Sequence, residues 1–599
     1  MSTLESTISS SRNRRPVLAL PPALVRFRQR FLKPILFVIS TLILLTAIWW
    51  FKVIPPTPPT EAQIQAAGDA IPPMGSFGGI TFRHVQLALA DATLFYLVPE
   101  TASTVGRWMA CWNTLHWTAW LLVALLGLVR LVFRFGSVPL AIARLTINDM
   151  LRQRLGLWPV SILVILLSLF PLLLTTAQPL RYQLQTYLQY SFMLTAGLLS
   201  VLTLLLATRS TSSDMSEGHV SSLFTKPLGR AMYLLGKFLG VAILNVVLVA
   251  VSAFAIYVTS VSITRGQPQS DDDYFDMRDQ VLLARESYNP RPDRPFIEGA
   301  RERLAVLEKE GSVIISPGPN QQMEREARAL ELAGTQAREW RSIAPGAART
   351  FLFDGLLKVK TGSEDVQLRL KGQVPTDPPD KIYPIIIDIN GRMGGMNLRV
   401  GSHQVFPLPP DAINEKGELR VTIINRSPVD PNSPAGRMSI SFADENTLQV
   451  MYPVARFEDN FWRPVVVMLS RLIFLSMLGV IVGTLLSFPV AAQLAMTVWI
   501  LAAGASYIAD ALDYTPTEGR PLDPNVIYSN TMVPLIRSAT AILGQFSTPD
   551  AAGLLADGRF ITGVSVWNHL GIIAVLWSVL LLLVGWVFFR GKELARVTV

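Results

Sequence analysis

The sequence predicts a polytopic α-helical membrane protein of about eight transmembrane helices, carrying a large extracytoplasmic α+β insert made of a helical part and an antiparallel β-sandwich. Three observations predict it. Half of the 599 residues are hydrophobic and only 16% are charged, a balance foreign to a soluble enzyme. Apolar runs of roughly 18 residues or more recur along the chain, and a ~30 Å hydrocarbon core needs about 20 residues of helix. Between the fifth and sixth of these runs the sequence turns polar for about 200 residues.

The spans fall at 34–54, 115–133, 158–177, 190–208, 234–260, 465–489, 491–509 and 568–589. The first, PILFVISTLILLTAIWWF, is long, ends in tryptophans and precedes PPTPPT instead of a small-residue cleavage site, so it reads as a retained anchor. Residues 1–33 carry Arg12, Arg14, Arg15, Arg26, Arg28, Arg30 and Lys33 against Glu5, which places the N-terminus in the cytoplasm. Residues 34–142 then hold two spans with an outer loop between them. The segments 130–157, 209–237 and 590–599 are net basic and fall on the same cytoplasmic side, the C-terminus included. The segments 261–461 and 510–566 hold more acids than bases and fall outside. The formal charge of +9 is therefore a topology signal and not a nucleic-acid footprint. An uncut anchor without organelle signals suits a bacterial plasma (inner) membrane. Arg471 would sit partway into the sixth span; a hydrocarbon core beginning at Leu472 lets its guanidinium snorkel to the interface. Cys111, the one cysteine, excludes a disulfide framework and a multi-cysteine metal site.

The insert, 261–461, divides in two. Residues 276–343 contain EGARERLAVLEKE and NQQMEREARALELAGTQAREW, good helix formers separated by a Gly/Pro break, and predict two helices. Residues 351–455 switch to short alternating runs such as VQLRLKG, YPIIIDI and ELRVTIIN, punctuated by TGSED, INGR and NEKG, and predict the β-sandwich. Such a domain could take an extracytoplasmic protein or glycan as partner, which fold alone does not establish. His403 reads as a strand or loop residue, and the acid run Asp271–Asp273 as a solvated linker in preference to a cation site.

The richest segment lies between spans four and five: DMSEGHVSSLFTKPLGRAMYLLGKFLG, residues 214–240. Its ordered series, Glu217 and Gly218, Lys226 and Pro227, Arg230, then Gly236 and Lys237, resembles the cytoplasmic loop of ABC-2-type permeases of ATP-binding-cassette transporters, including the branch with the nitrous-oxide-reductase maturation permease. The resemblance implies an ATPase-coupling loop at these seven residues. It extends to ARLTINDMLRQRLGLWP, 143–159, which looks like the family's amphipathic entry helix, and to the closing VFFRGKEL. Residues 143–260 and 462–599 would then be the two halves of the permease core, with 511–566 in the position of re-entrant outer helices.

The same resemblance implies a cytoplasmic ABC ATPase as partner, a homodimer or a pairing with a related permease, contact with membrane lipid, and export. No G-x-x-x-x-G-K-[ST] occurs, so the chain should be no enzyme itself, with ATP and Mg on the partner and no cofactor here. No catalytic or metal-ligating grouping is evident, and the apolar interiors lack Asp and Glu, which argues against a proton-coupled carrier. Gly236/Gly240 and Gly479/Gly483 have the G-x-x-x-G spacing of close helix contacts, read as internal packing ahead of a dimer seam. The alternative reading of the whole chain is a non-transporting anchor or mechanotransmission protein displaying the sandwich as a binding domain.

Overall fold

The computed structural model describes residues 76–77, 80–81 and 104–591, apart from 133–136, 153, 175–177, 219–228, 265–270, 314, 316–320, 357–365, 375–381, 410, 427–438, 443–446, 506–507, 509–531 and 545–550. The segment 1–33 and the first expected span, 34–54, lie outside the described residues. Among the described residues, five helices are long and apolar enough to cross a membrane: Cys111–Leu131, Leu180–Ser216, Arg230–Thr264, Phe457–Leu485 and Gly563–Gly591. Two further expected spans correspond to shorter apolar helices, Pro159–Leu173 and Phe488–Ala503. Pro171 falls in a 3-10 turn, Phe170–Leu173, at the end of the first; the second begins at Phe488, with Pro489 in its first turn as the boundary between the spans at 465–489 and 491–509 requires, and stops at a Gly504 C-cap.

Strands β1 (Ser76–Phe77) and β2 (Ile80–Thr81) form a small antiparallel pair. The helices that follow are α1 (Thr104–Val132), α2 (Val138–Arg152), α3 (Arg154–Leu169), α4 (Leu180–Ser216) and α5 (Arg230–Thr264). One compact unit comprises Met1–Thr176 and Leu235–Gln267, and so takes in most of α5. Within it α2 is amphipathic: Ile142, Ala143, Ile147 and Met150 are buried, whereas Arg144 and Leu145 are exposed. This helix begins earlier than the entry helix expected at 143–159, because Val138 and Pro139 already supply a first turn. Its buried face lies on α5 at two glycines. A Cβ on Gly236 would stand 2.6 Å from the Ile142 Cβ, and one on Gly240 2.8 Å from the Thr146 Cβ. The Thr146 hydroxyl donates to the Ile142 carbonyl at 2.9 Å, so the seam leaves that polar group satisfied.

The other unit comprises Ala177–Leu234 and Pro268–Val599. It adds α6 (Asp271–Met277), α7 (Phe296–Lys309), α8 (Gln321–Trp340), α9 (Phe457–Leu485), α10 (Phe488–Ala503), α11 (Val533–Gly544), α12 (Ala551–Ala556), α13 (Gly563–Asn568) and α14 (Ser578–Gly591), the last two joined by a π-helical stretch at His569–Trp577. Its helical core is the pair α4 and α9. A Cβ on Gly479 would come 2.6 Å from the Ala207 Cβ, and one on Gly483 would collide with the Thr211 hydroxyl and stand 2.7 Å from the Thr208 carbonyl oxygen. Four residues on along one helix is four residues on along the other, so the two run parallel, and the Phe192–Phe461 ring contact keeps the same order nearer their starts. The stretch α13–α14 is parallel to them as well: Asn460 meets Ile561 near the start, and Ile481 fills the space beside Gly585 near the end. Apolar side chains of α13, α14 and the π-helical stretch between them, such as Val564, Trp567, Val575, Val584 and Phe588, are exposed, as befits a helix bordering an apolar medium.

At the starting end of these helices sit the sheets. One has the order β5 (Ala348–Phe353), β10 (Leu419–Asn425), β7 (Ile382–Ile389), β8 (Arg392–Arg399). The other has β3 (Leu283–Tyr288), β12 (Leu448–Arg456), β6 (Gln367–Leu370), β9 (Gln404–Pro407). All neighbours are antiparallel, and β4 (Ser342–Ile343) pairs with β11 (Ile440–Ser441). Alternate residues, among them Phe351, Phe353, Ile385, Ile387, Val421 and Ile423 from one sheet and Leu368, Leu370, Leu448 and Val450 from the other, form one buried apolar cluster. The two expected helices are α7 and α8. Arg325 pairs with Glu308 at 3.0 Å between them, and Trp340 stands edge-on to Phe351, with ring centroids 5.2 Å apart. Strand β3 lies inside the stretch read as helical; its LARESY carries too many charges to betray a strand, because its polar face is covered by protein.

The cover is the chain before α13. The Arg285 N–H donates to the Gly558 carbonyl and the Phe560 N–H to the Arg285 carbonyl, both at 2.8 Å. Gly558 has φ 65°, and a Cβ there would strike the Gln280 carbonyl oxygen. The Asn460 side chain clasps the same segment, donating to the Arg559 carbonyl at 2.8 Å and accepting from the Ile561 N–H at 3.1 Å. One residue of the acid run departs from the solvated linker the sequence suggested. Asp273 is buried, and its carboxylate accepts from the Leu180 N–H at 3.0 Å, satisfying one of the orphan donors at the positive end of α4. Arg471 stands midway along α9. Between it and the end of α9 at Leu485 there is about 21 Å of helix.

Overpacking the α4–α9 seam should be costly. Gly483→Leu is expected to destabilise the fold by at least about 1–3 kcal/mol, while Gly197→Ala on the same α4, with open space around it, should be neutral or slightly stabilising. Thermal unfolding of the two variants in detergent, followed by size-exclusion profile, checks this; equal behaviour would refute the close seam.

Candidate coupling site

At the far end of the same unit, α4 stops, α5 starts and α14 stops. The last turn of α4 is polar, TSSDMS, and Glu217 follows as its C-cap, with its N–H donating to the Ser213 carbonyl at 2.9 Å. Gly218 then takes φ 70°, the left-handed conformation that commonly ends a helix. Glu217 and Gly218 are both exposed. Lys226 and Pro227 lie outside the described residues.

Arg230 is the first residue of α5, and its guanidinium does not project into solvent. It donates to the Phe589 carbonyl at 2.7 Å and to the Arg590 carbonyl beside it. These are among the last carbonyls of α14, groups without intrahelical partners at the negative end of the helix, so a guanidinium fork both satisfies and neutralises them. The Arg230 guanidinium also lies 5.7 Å from the Phe589 ring centroid. One turn on, Tyr233 is buried; its hydroxyl donates to the Asp214 carboxylate at 2.9 Å and its ring stacks on Phe589 at 6.1 Å. Asp214 belongs to the closing turn of α4. Three helix ends are thus tied by three hydrogen bonds, a cation–π contact and an aromatic stack.

Of the seven residues singled out in the sequence, the structure brings Arg230 into this junction and places Glu217 and Gly218 at its exposed rim. Gly236 and Lys237 are buried in α5, Lys237 being 2% exposed, and do not belong to the loop surface. Asp214, Tyr233 and Phe589 were missed. Helical spacing could have found Tyr233, which follows Arg230 by three residues and so shares its face; Phe589 is distant in sequence and carries no local sign.

Comparison with known proteins bears on this region. Residues 140–275 match the family model described as ABC-2 family transporter protein. The match takes in most of α2, all of α3, α4 and α5 and the seven singled-out residues, and supports a permease of ABC-2 type, a class that pairs with a cytoplasmic ATPase. No curated protein and no solved structure matches the chain.

Tyr233→Phe removes one charge-assisted hydrogen bond and leaves the stack on Phe589, with an expected cost of roughly 1.5–3 kcal/mol. A double-mutant cycle with Asp214→Ala, read by denaturant melts in mixed micelles, should show that the two losses are not additive; additive losses would dissolve the junction.

Proposed function

We propose that this chain is the membrane-spanning permease subunit of an ABC-2-type exporter, driven by a separate cytoplasmic ATPase. The observation that carries the reading is the coincidence of the family match with the three-helix junction. The segment resembling a coupling loop is the one whose ends are fastened to α4, α5 and α14. An ATPase docked on 217–230 would push on the end of α4 through Glu217 and on the start of α5 through Arg230. The stiffness of α-helices carries such a push along the bundle. Two permease copies, or this chain with a related permease, would face two ATPase subunits.

The charge distribution supports a cytoplasmic setting for this end. The sheets lie at the opposite end of α4, α9 and α13–α14, which supports an extracytoplasmic position for them in a bacterial plasma membrane. ATP and Mg would be held by the partner, since this sequence has no phosphate-binding loop.

Glu217 is the residue to test, because it is exposed and its contact with the Ser213 carbonyl is made by its backbone N–H, which a side-chain change leaves in place. Purified gently from its native membrane, the full chain should bring down a Walker-A-containing ATPase near one copy per permease. Glu217→Lys should lower ATPase co-elution or permease-stimulated hydrolysis about tenfold or more with an unchanged melting temperature. Reproducible absence of the ATPase from an intact membrane domain would overturn the reading.

A further inference from the structure

The second sheet, β3–β12–β6–β9, turns one face to the apolar cluster and the other to the chain segment before α13. That second face is basic. Arg369 and Lys371 lie two residues apart along β6 and its extension, hence on one side. Gln449 of β12 is in register with Arg369, and the pairing of Leu370 with Gln404 sets His403 across from Lys371. Over this face runs Arg559, whose guanidinium donates to the Gln449 side-chain carbonyl and, at 3.5 Å, to the Ser287 hydroxyl. Asp557, from the same covering segment, meets Arg369 at 3.4 Å. Arg369 and Arg559 are each 8% exposed.

Two independent observations converge at His403. Burial and the cations Arg369, Lys371 and Arg559 push its imidazole down to about 3, so the ring is neutral and the local field is positive. Its Nδ1 is also buried and has no hydrogen-bond partner among the described residues, which costs free energy unless a further group supplies one. Arg181, at the start of α4, adds to the positive field at Arg369.

We propose that Arg369, Lys371, His403 and Arg559 form a binding site for a phosphate group. Guanidinium, ammonium and imidazole N–H groups approach from β6, from the turn before β9 and from the covering segment. Donors arriving from separate directions suit a tetrahedral oxyanion better than a planar carboxylate, and arginine forks favour phosphate geometry. With the anion in place the Nδ1–H of His403 gains its acceptor and the positive field at this face is offset. The site adjoins Asn460 in the first turn of α9, through the Arg559 carbonyl. The phosphate is therefore either that of a lipid headgroup or one free in solution.

The test uses the full chain. In detergent, inorganic phosphate is titrated by calorimetry against chloride of matched ionic strength; in nanodiscs, retention of phosphatidylglycerol is compared with that of phosphatidylcholine by native mass spectrometry. Saturable phosphate binding near one per chain supports a soluble source, and selective phosphatidylglycerol retention supports a headgroup. Either signal should weaken about tenfold in Lys371→Gln, a partly exposed position whose change leaves the Arg369–Asp557 pair alone, and in His403→Ala. It should be unchanged in Arg392→Gln on the other sheet, where Arg392 pairs with Asp411. Near-ultraviolet circular dichroism confirms that the variants keep their packing. The proposal is overturned if neither phosphate nor phosphatidylglycerol binds selectively, or if binding is the same in all four proteins.

Discussion

The close approach of α4 and α9 is the contact on which the second unit depends. Two glycines on α9 let the backbones meet over Ala207 and Thr211, and no side chain larger than hydrogen fits there. Because the seam advances residue for residue on both helices, it fixes their parallel order as well as their distance. That order puts the sheets at one end of the bundle and the junction of Asp214, Arg230 and Tyr233 at the other. The hydroxyls along the seam cost little: Thr208 and Thr211 donate to carbonyls one turn back on their own helix, so they fill the narrow groove without leaving unpaired donors.

Much of this was legible in the sequence where a single period governs a segment. The alternation in YPIIIDI and ELRVTIIN is the alternation of burial in β7 and β10, since each strand has one face on the apolar cluster. The glycine pairs at 236/240 and 479/483 pack internally, as their spacing suggested. Legibility failed where a segment is covered on its polar side by distant chain. Strand β3 displays Arg285, Glu286 and Ser287, and nothing local announces that residues 558–560 will close over it. Asp273 likewise reads as one acid in a soluble run; its burial depends on the start of α4, ninety-three residues away.

The candidate site divides along the same line. Glu217, Gly218 and Arg230 stand at helix ends, where capping and charge make residue type meaningful, and the structure finds them there. Gly236 and Lys237 lie a turn or more inside α5, and there the pattern reflects helix packing more than the surface of a loop. The partners of Arg230 are backbone carbonyls of α14, and a carbonyl has no residue type for a sequence to display. Any site built on main-chain acceptors is invisible until the fold brings the helix end into reach.

Strand β12 passes into α9 between Arg456 and Phe457 with no residue to spare, so strand and helix share one stiff axis. The interior proline, Pro464, is where such a rod would yield, yet it follows directly on the clasp that Asn460 and Arg463 make with the chain at 559–561. With 29 residues α9 is about 43 Å long, and a tilt of about 10° at one end carries the other through about 7 Å. The β-sheets therefore hang on a lever without slack, in which a tilt of that size at the far end of α9 amounts to a displacement wider than the spacing of two strands.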